Sequence, residues 1–210
     1  MSIKIKWLGH SCFAVECKNY RIVLDPFEPG SVPGLLSVRE EADLVLCSHE
    51  HFDHNYRAGV VVSEQPGESP FRVTALSSYH DDQQGALRGK NTIFLLEAEG
   101  MRIVHFGDIG CMPGELVLEK LRGADAVMIP VGGHYTVNAA EAQAILDEIR
   151  PRVVIPMHYR SEKFGFDALS TVEDFLKLCG PTVRFGGTFL ELTPETPRQV
   201  AVLSCPVEEE

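Results

Sequence analysis

The sequence of 210 residues predicts a mixed α/β fold in which strands outnumber helices. Two observations carry that reading: a succession of short apolar or alternating runs of strand length, and three stretches with helical periodicity in the second half of the chain. The opening Met1-Ser2-Ile3-Lys4-Ile5-Lys6 alternates as a half-buried strand does, so a first strand is expected near 2–8. Further strands are expected near 12–17, 20–25, 43–48, 72–76, 92–98 and 101–106, then near 125–130, 152–156, 182–185, 188–192 and 199–204. Helices are expected at 113–122, 138–149 and 167–179. In the second of these Asn138 can cap the helix with Glu141 at the capping-box position, and Ala142, Ile145, Leu146 and Ile149 form one apolar face. Pro151 then ends it. Gly30 to Val38 and Gln65 to Pro70 read as loops too short to mark a boundary, so a single domain over 1–210 is expected.

The most informative run is His49-Glu50-His51-Phe52-Asp53-His54, at the end of the strand-like Ala42-Asp43-Leu44-Val45-Leu46-Cys47-Ser48. In extended chain, side chains two apart share a face, so His49 and His51 can offer nitrogens to one cation. If the chain then turns, Asp53 and His54 can serve a second cation close by. An exposed polar loop with clustered histidines is the bland alternative.

HxHxDH after a strand resembles the signature of the metallo-β-lactamase superfamily. That resemblance implies an α/β, four-layer αββα sandwich with one or two metals, and it implies a third histidine, a bridging aspartate and a final histidine in that order. His80, Asp108 and His158 fill those places, each after a predicted strand. The segments Trp7-Leu8-Gly9-His10-Ser11-Cys12-Phe13, Ile22-Val23-Leu24-Asp25-Pro26-Phe27 and Ile129-Pro130-Val131-Gly132-Gly133-His134-Tyr135-Thr136 are similar to the compact branch that includes ascorbate-6-phosphate lactonase. The short interval from His54 to His80 disfavours antibiotic hydrolysis.

The ligand set implied is His49, His51 and His80 for one metal, Asp53, His54 and His158 for the other, with Asp108 bridging. Nitrogen-rich ligands with carboxylates suit zinc, and manganese or iron also fit. Two divalent ions about 3.5–4 Å apart would lower the pKa of a shared water toward about 7 and direct it at a carbonyl or phosphorus. Asp53, Asp108 and His134 are the candidate catalytic residues. Asp25 can hydrogen-bond a ligand imidazole or be a turn aspartate, and His10 can face the metal pocket or sit in the core. His134 can carry a proton, or its glycines can exist only for the turn. Tyr159 and Arg160 follow a ligand and can touch substrate, with a solvated arginine as the plain alternative. His105, inside a strand, reads as structural.

The formal charge of −11 and the lack of a basic stripe weigh against a nucleic-acid partner. Isolated Arg88, Lys90, Arg160 and Lys163 lie near the metal-bearing loops, so a small phosphorylated or carboxylated substrate is compatible. No apolar run reaches the ~18 residues of a membrane span, and the N-terminus lacks a signal peptide's apolar block, so a cytoplasmic protein is expected. The six scattered cysteines fit reduced thiols, and Cys47 and Cys111 near the ligands read as small hydrophobes. Glu208-Glu209-Glu210 reads as a solvated end. A homo-oligomer formed through a strand edge or loop is compatible with the sequence. The favoured function is a metal-dependent hydrolase of a small ester, lactone or phosphoester. An iron-dependent oxidoreductase is the alternative from another class, disfavoured because His51 stands where diiron flavoprotein relatives carry glutamate. A nucleic-acid-processing phosphodiesterase is the third reading.

Overall fold

Alternation along the first strands decides how the chain layers. In the computed structural model, which describes residues 1–207, strand β1 (Ile3–Gly9) turns Ile3, Ile5 and Trp7 into the main core and Leu8 to the opposite face. Strands β2 (Cys12–Cys17) and β3 (Tyr20–Leu24) repeat the pattern, with Phe13, Val15, Ile22 and Leu24 on one side and Cys12, Ala14 and Val23 on the other. Short β4 (Glu40–Ala42), β5 (Leu44–Leu46) and β6 (Val60–Val62) follow, then β7 (Arg72–Tyr79), β8 (Lys90–Ala98) and β9 (Met101–His105). The rest alternates α1 (Glu115–Leu121), β10 (Ala126–Pro130), α2 (Ala139–Ile149), β11 (Val153–Met157) and α3 (Val172–Leu176), and closes with β12 (Thr182–Arg184), β13 (Phe189–Leu192) and β14 (Gln199–Val202). The tail at 208–210 lies outside the described residues.

Two sheets result. One has the order β13-β1-β2-β3-β5 and the other β12-β14-β11-β10-β9-β8-β7, with β4 and β6 forming a separate pair. Every residue of β10 and β11 is buried, as befits parallel strands covered on both faces. Pro130 and Pro156 are tolerated there because each lies beyond the last register pair with an outer neighbour, Met128 with β9 and Val154 with β14.

One continuous core joins the space between the sheets to the helices on the far side of the larger sheet, through Leu118, Leu121, Ile145, Ile149 and Phe175. The outer layer over the smaller sheet is built from Phe27, Val32, Leu35, Val38 and Val60, in loops and at the start of β6, with a 3-10 turn at Arg57–Gly59. The fold is therefore the expected α/β layered sandwich, with one outer layer made largely of irregular chain. Asn138 caps α2 as expected: its Oδ1 accepts from Ala140 and Glu141 N–H at 2.9 and 3.1 Å, while Glu141 Oε2 accepts from Asn138 N–H at 2.8 Å. The third helix is shorter than 167–179. Extended chain before it is held by Ser170 N–H on Gly132 O at 2.8 Å and by a bridge between Arg160 and Thr171, so the helix begins only after Thr171.

Candidate metal centre

Strand polarity puts the C-terminal ends of β1, β3 and β5 in one sheet, and of β7, β9, β10 and β11 in the other, at matching edges. The two edges are tied at His10, whose carbonyl accepts the Trp7 indole N–H at 2.9 Å and the His158 backbone N–H at 3.3 Å. Residues just past those ends form the site. Several hold left-handed backbone that L-residues seldom adopt: His10 at φ 51°, Asp25 at 47°, His134 at 59° and His158 at 51°. Such strain persists where surrounding structure over-determines it, as at functional sites.

Two groups of donor atoms converge. His49, His51 and His80 form one, with His49 Nε2 and His51 Nδ1 3.1 Å apart. His10, Asp53, His54 and His158 form the other, with Asp53 Oδ2 3.3 Å from His10 Nε2 and 3.7 Å from His54 Nε2. Asp108 lies between them: its Oδ2 is 3.0 Å from His158 Nε2, 3.1 Å from His54 Nε2 and 3.5 Å from His80 Nε2. A Ser11 hydroxyl donates to Asp108 Oδ1 at 3.1 Å, and the Asp108 N–H donates to the buried Asn91 side chain at 3.0 Å.

Asp25 organises both groups from behind. Its carboxylate accepts the Ser48 N–H at 2.6 Å and the Ser48 hydroxyl at 2.5 Å, and its Oδ2 lies 2.9 Å from His54 Nδ1. Since the Ser48 proton goes to Asp25, the Ser48 oxygen is left to accept from His49 Nδ1 at 2.9 Å. Both rings are thereby held with Nε2 toward the cluster. With its oxygens engaged in this way, Asp25 serves as the orienting carboxylate, although it also lies near His49 and His54 in a third donor group. His105 is structural, donating from Nε2 to Ser11 O at 2.8 Å and accepting the Gly107 N–H on Nδ1 at 3.1 Å.

The residues present fit a cation. Buried His10 Nδ1 has no hydrogen-bond partner among the described residues, and His10 Nε2 and His54 Nε2 meet only carboxylate oxygens, at 3.3 and 3.1 Å, without hydrogen-bond geometry; such groups are costly unless something organises them. Burial, reinforced by His158, lowers the His10 pKa to about 4, and burial with His54 nearby takes His49 to about 3, so these rings keep lone pairs. Burial opposes ionisation of Asp108, but His158 and His54 outweigh it and hold the carboxyl well below its ordinary value.

His10, read as either a pocket or a core histidine, is thus both buried and part of the cluster. His134 is exposed, its ring edge-on to Tyr135 at 4.5 Å, and outside the converging groups. Tyr159 is placed elsewhere: its ring is in the core against Trp7 at 5.4 Å and Phe164 at 5.7 Å. Arg160 is likewise turned to its own loop, donating to Leu169 O at 2.7 Å. Ser11, Ser48 and Asn91 carry no signal in the sequence beyond being polar residues beside or inside apolar strands.

A model of the beta-lactamase superfamily domain matches residues 4–158, ending on His158. The chain belongs to that superfamily. A protein of Thermococcus onnurineus named as a metal-dependent hydrolase is 28% identical over 211 residues, covering 85% of this chain and 92% of the relative. One of Hyperthermus butylicus with the same description is 27% identical over 191 residues, 75% of this chain and 83% of that protein. Among solved structures, a metallo-beta-lactamase superfamily protein from Thermotoga maritima has 33% identity and a TM-score of 0.73, covering 96% of this chain and 98% of its own. No helix of the described residues is long and apolar enough to cross a membrane.

Proposed function

We propose that this member of the superfamily is a metal-dependent hydrolase of a small ester, lactone or phosphoester, with a pair of divalent ions in the two donor groups. Asp108 carries the reading. One carboxylate oxygen within 3.5 Å of imidazoles drawn from both groups is the arrangement a bridging ligand needs. His49, His51 and His80 would hold one ion, and His10, Asp53, His54 and His158 the other. His10 is added to the expected set because its Nε2 faces Asp53 with no other partner. Zinc suits the nitrogen-rich donors best, and manganese or iron are the competing ions.

Ions held there would supply Lewis acidity and the activation of water that hydrolysis at pH 7 requires. The chain's own residues do the positioning. Asp25 fixes His54 directly and His49 through Ser48, while Ser11 and Asn91 fix Asp108. Asp53 stays ionised to serve as ligand and local base. His134, exposed on the loop after β10, carries protons between the site and solvent. Hydrolysis of p-nitrophenyl phosphodiesters, simple lactones and thioesters, with metal content measured on the same samples, tests the reading. Turnover that follows zinc or manganese content is expected. Stoichiometric iron without hydrolysis would replace it with the oxidoreductase reading.

A further inference from the structure

The loop after His80 is shaped by a single carboxylate. Asp81 Oδ1 accepts the backbone N–H of Gln83 and of Gly85, both at 2.8 Å, and Oδ2 accepts those of Leu87 at 3.0 Å and Arg88 at 2.7 Å. The His80 N–H closes the loop on Gly89 O at 3.1 Å. The backbone of Arg88 is therefore fixed relative to His80, a residue of the metal cluster.

The Arg88 side chain reaches across to the loop after β10. It donates to His134 O at 3.3 Å, and its guanidinium carbon lies 5.9 Å from the centre of the Tyr135 ring. Tyr135 meets Phe166 edge-on at 6.0 Å, and Phe166 meets His10 edge-on at 5.6 Å. An aromatic wall thus runs from the metal cluster to a half-buried guanidinium. In a chain with 30 acidic residues, Arg88 forms no ion pair among the described residues, and its single hydrogen bond leaves most of its five donors unused.

We propose that Arg88 selects substrates bearing an anionic oxygen group, a carboxylate or a phosphonate or phosphate, set apart from the scissile bond by an apolar segment that lies along Tyr135 and Phe166. This rests on the hydrolase reading and specifies its substrate class. A planar fork of donors suits two anionic oxygens, and a guanidinium already held on a ring loses little freedom on binding. Lysine, a single point charge, should replace it poorly.

The test uses matched aryl esters on metal-loaded protein: 4-acetoxybenzoate and 4-acetoxyphenylphosphonate against the neutral methyl 4-acetoxybenzoate. Wild type should favour the anions. Arg88→Ala should lose about 10- to 100-fold in kcat/KM for them, the scale of a charged hydrogen-bonded contact, while the neutral ester and the metal content stay unchanged. Arg88→Lys should recover only part of the loss. The two anions separate carboxylate from phosphonate preference. Hydrolysis of the neutral ester with no anion preference, or an Arg88→Ala variant that keeps the preference, overturns the assignment and leaves the hydrolase reading intact. If none of these esters is cleaved, the hydrolase reading is decided by the phosphodiester, lactone and thioester screen, and calorimetry with 4-hydroxybenzoate and its methyl ester decides Arg88: anion binding lost in Arg88→Ala supports it, and equal binding by both proteins, or none by either, overturns it.

Discussion

His54 Nδ1 lies 2.9 Å from Asp25 Oδ2 with both side chains fully buried, and the same carboxylate reaches His49 through the Ser48 hydroxyl. One residue behind the cluster therefore orients an imidazole in each donor group. An aspartate at φ 47° follows β3 because this position must both turn the chain and accept three hydrogen bonds.

Asp25→Asn tests that relationship while keeping the backbone, since asparagine tolerates left-handed conformation. Its amide nitrogen can only donate, so either the Ser48 N–H loses its acceptor or the Ser48 hydroxyl and His54 Nδ1 lose theirs together. Metal affinity measured by chelator competition should fall about 10- to 100-fold. Unchanged affinity would show that the two rings are held by other contacts.

Gly110→Ala should disturb the site by pressing on the backbone of His80, a proposed ligand, without replacing any ligand side chain. Its N–H bonds Tyr79 O at 2.9 Å, and an added Cβ would run into the His80 carbonyl and the Asp81 nitrogen. Backbone cannot swing aside as a side-chain tip can, so the cost is that of overpacking, about 1–3 kcal/mol. Denaturant unfolding should show the loss, with weaker metal retention; an unaltered midpoint would mean the two loops have slack.

Asn138→Ala removes one half of the α2 capping box, at a residue outside the donor groups. Stability should fall by about 1 kcal/mol, with metal content and hydrolysis per bound metal unchanged. A loss of metal in this variant would couple the helix start to the 132–136 loop more tightly than the contacts suggest.

His134→Ala separates proton transfer from metal binding. The ring is exposed and outside the donor groups, so metal content should stay near the wild-type value. Turnover should fall by about 10²-fold or more if His134 moves a proton in the slow step. Turnover equal to wild type would reduce His134 to a residue of the turn.

Individual strands were legible from apolar alternation in β1 to β3 and continuous apolar runs in β10 and β11, whereas their layering followed from the family resemblance carried by the HxHxDH run. The capping box of α2 was legible from local sequence, as those strands were. The β4–β6 pair was not, since three residues of Glu-Glu-Ala and three valines carry no period. The spacing in HxHxDH was enough to expect His49 and His51 on one side, but the joining of His10 to Asp53, His54 and His158 depends on two strand ends from different sheets meeting. Tyr159 shows the converse: adjacency to His158 suggested a substrate contact, whereas its ring turns away to pack on Trp7. Arg88 was visible as a basic residue near the site, but its route along Tyr135 exists only once the loops after β7 and β10 face each other.

The most direct measurement is metal stoichiometry and hydrolysis on the same preparations of wild type and Asp108→Ala. The bridging role predicts about two divalent ions per wild-type chain, hydrolysis that disappears on chelation and returns with zinc or manganese, and loss of both metal and turnover in Asp108→Ala. Full hydrolysis by a metal-depleted Asp108→Ala protein, or a wild type that takes up no divalent ion, would contradict it.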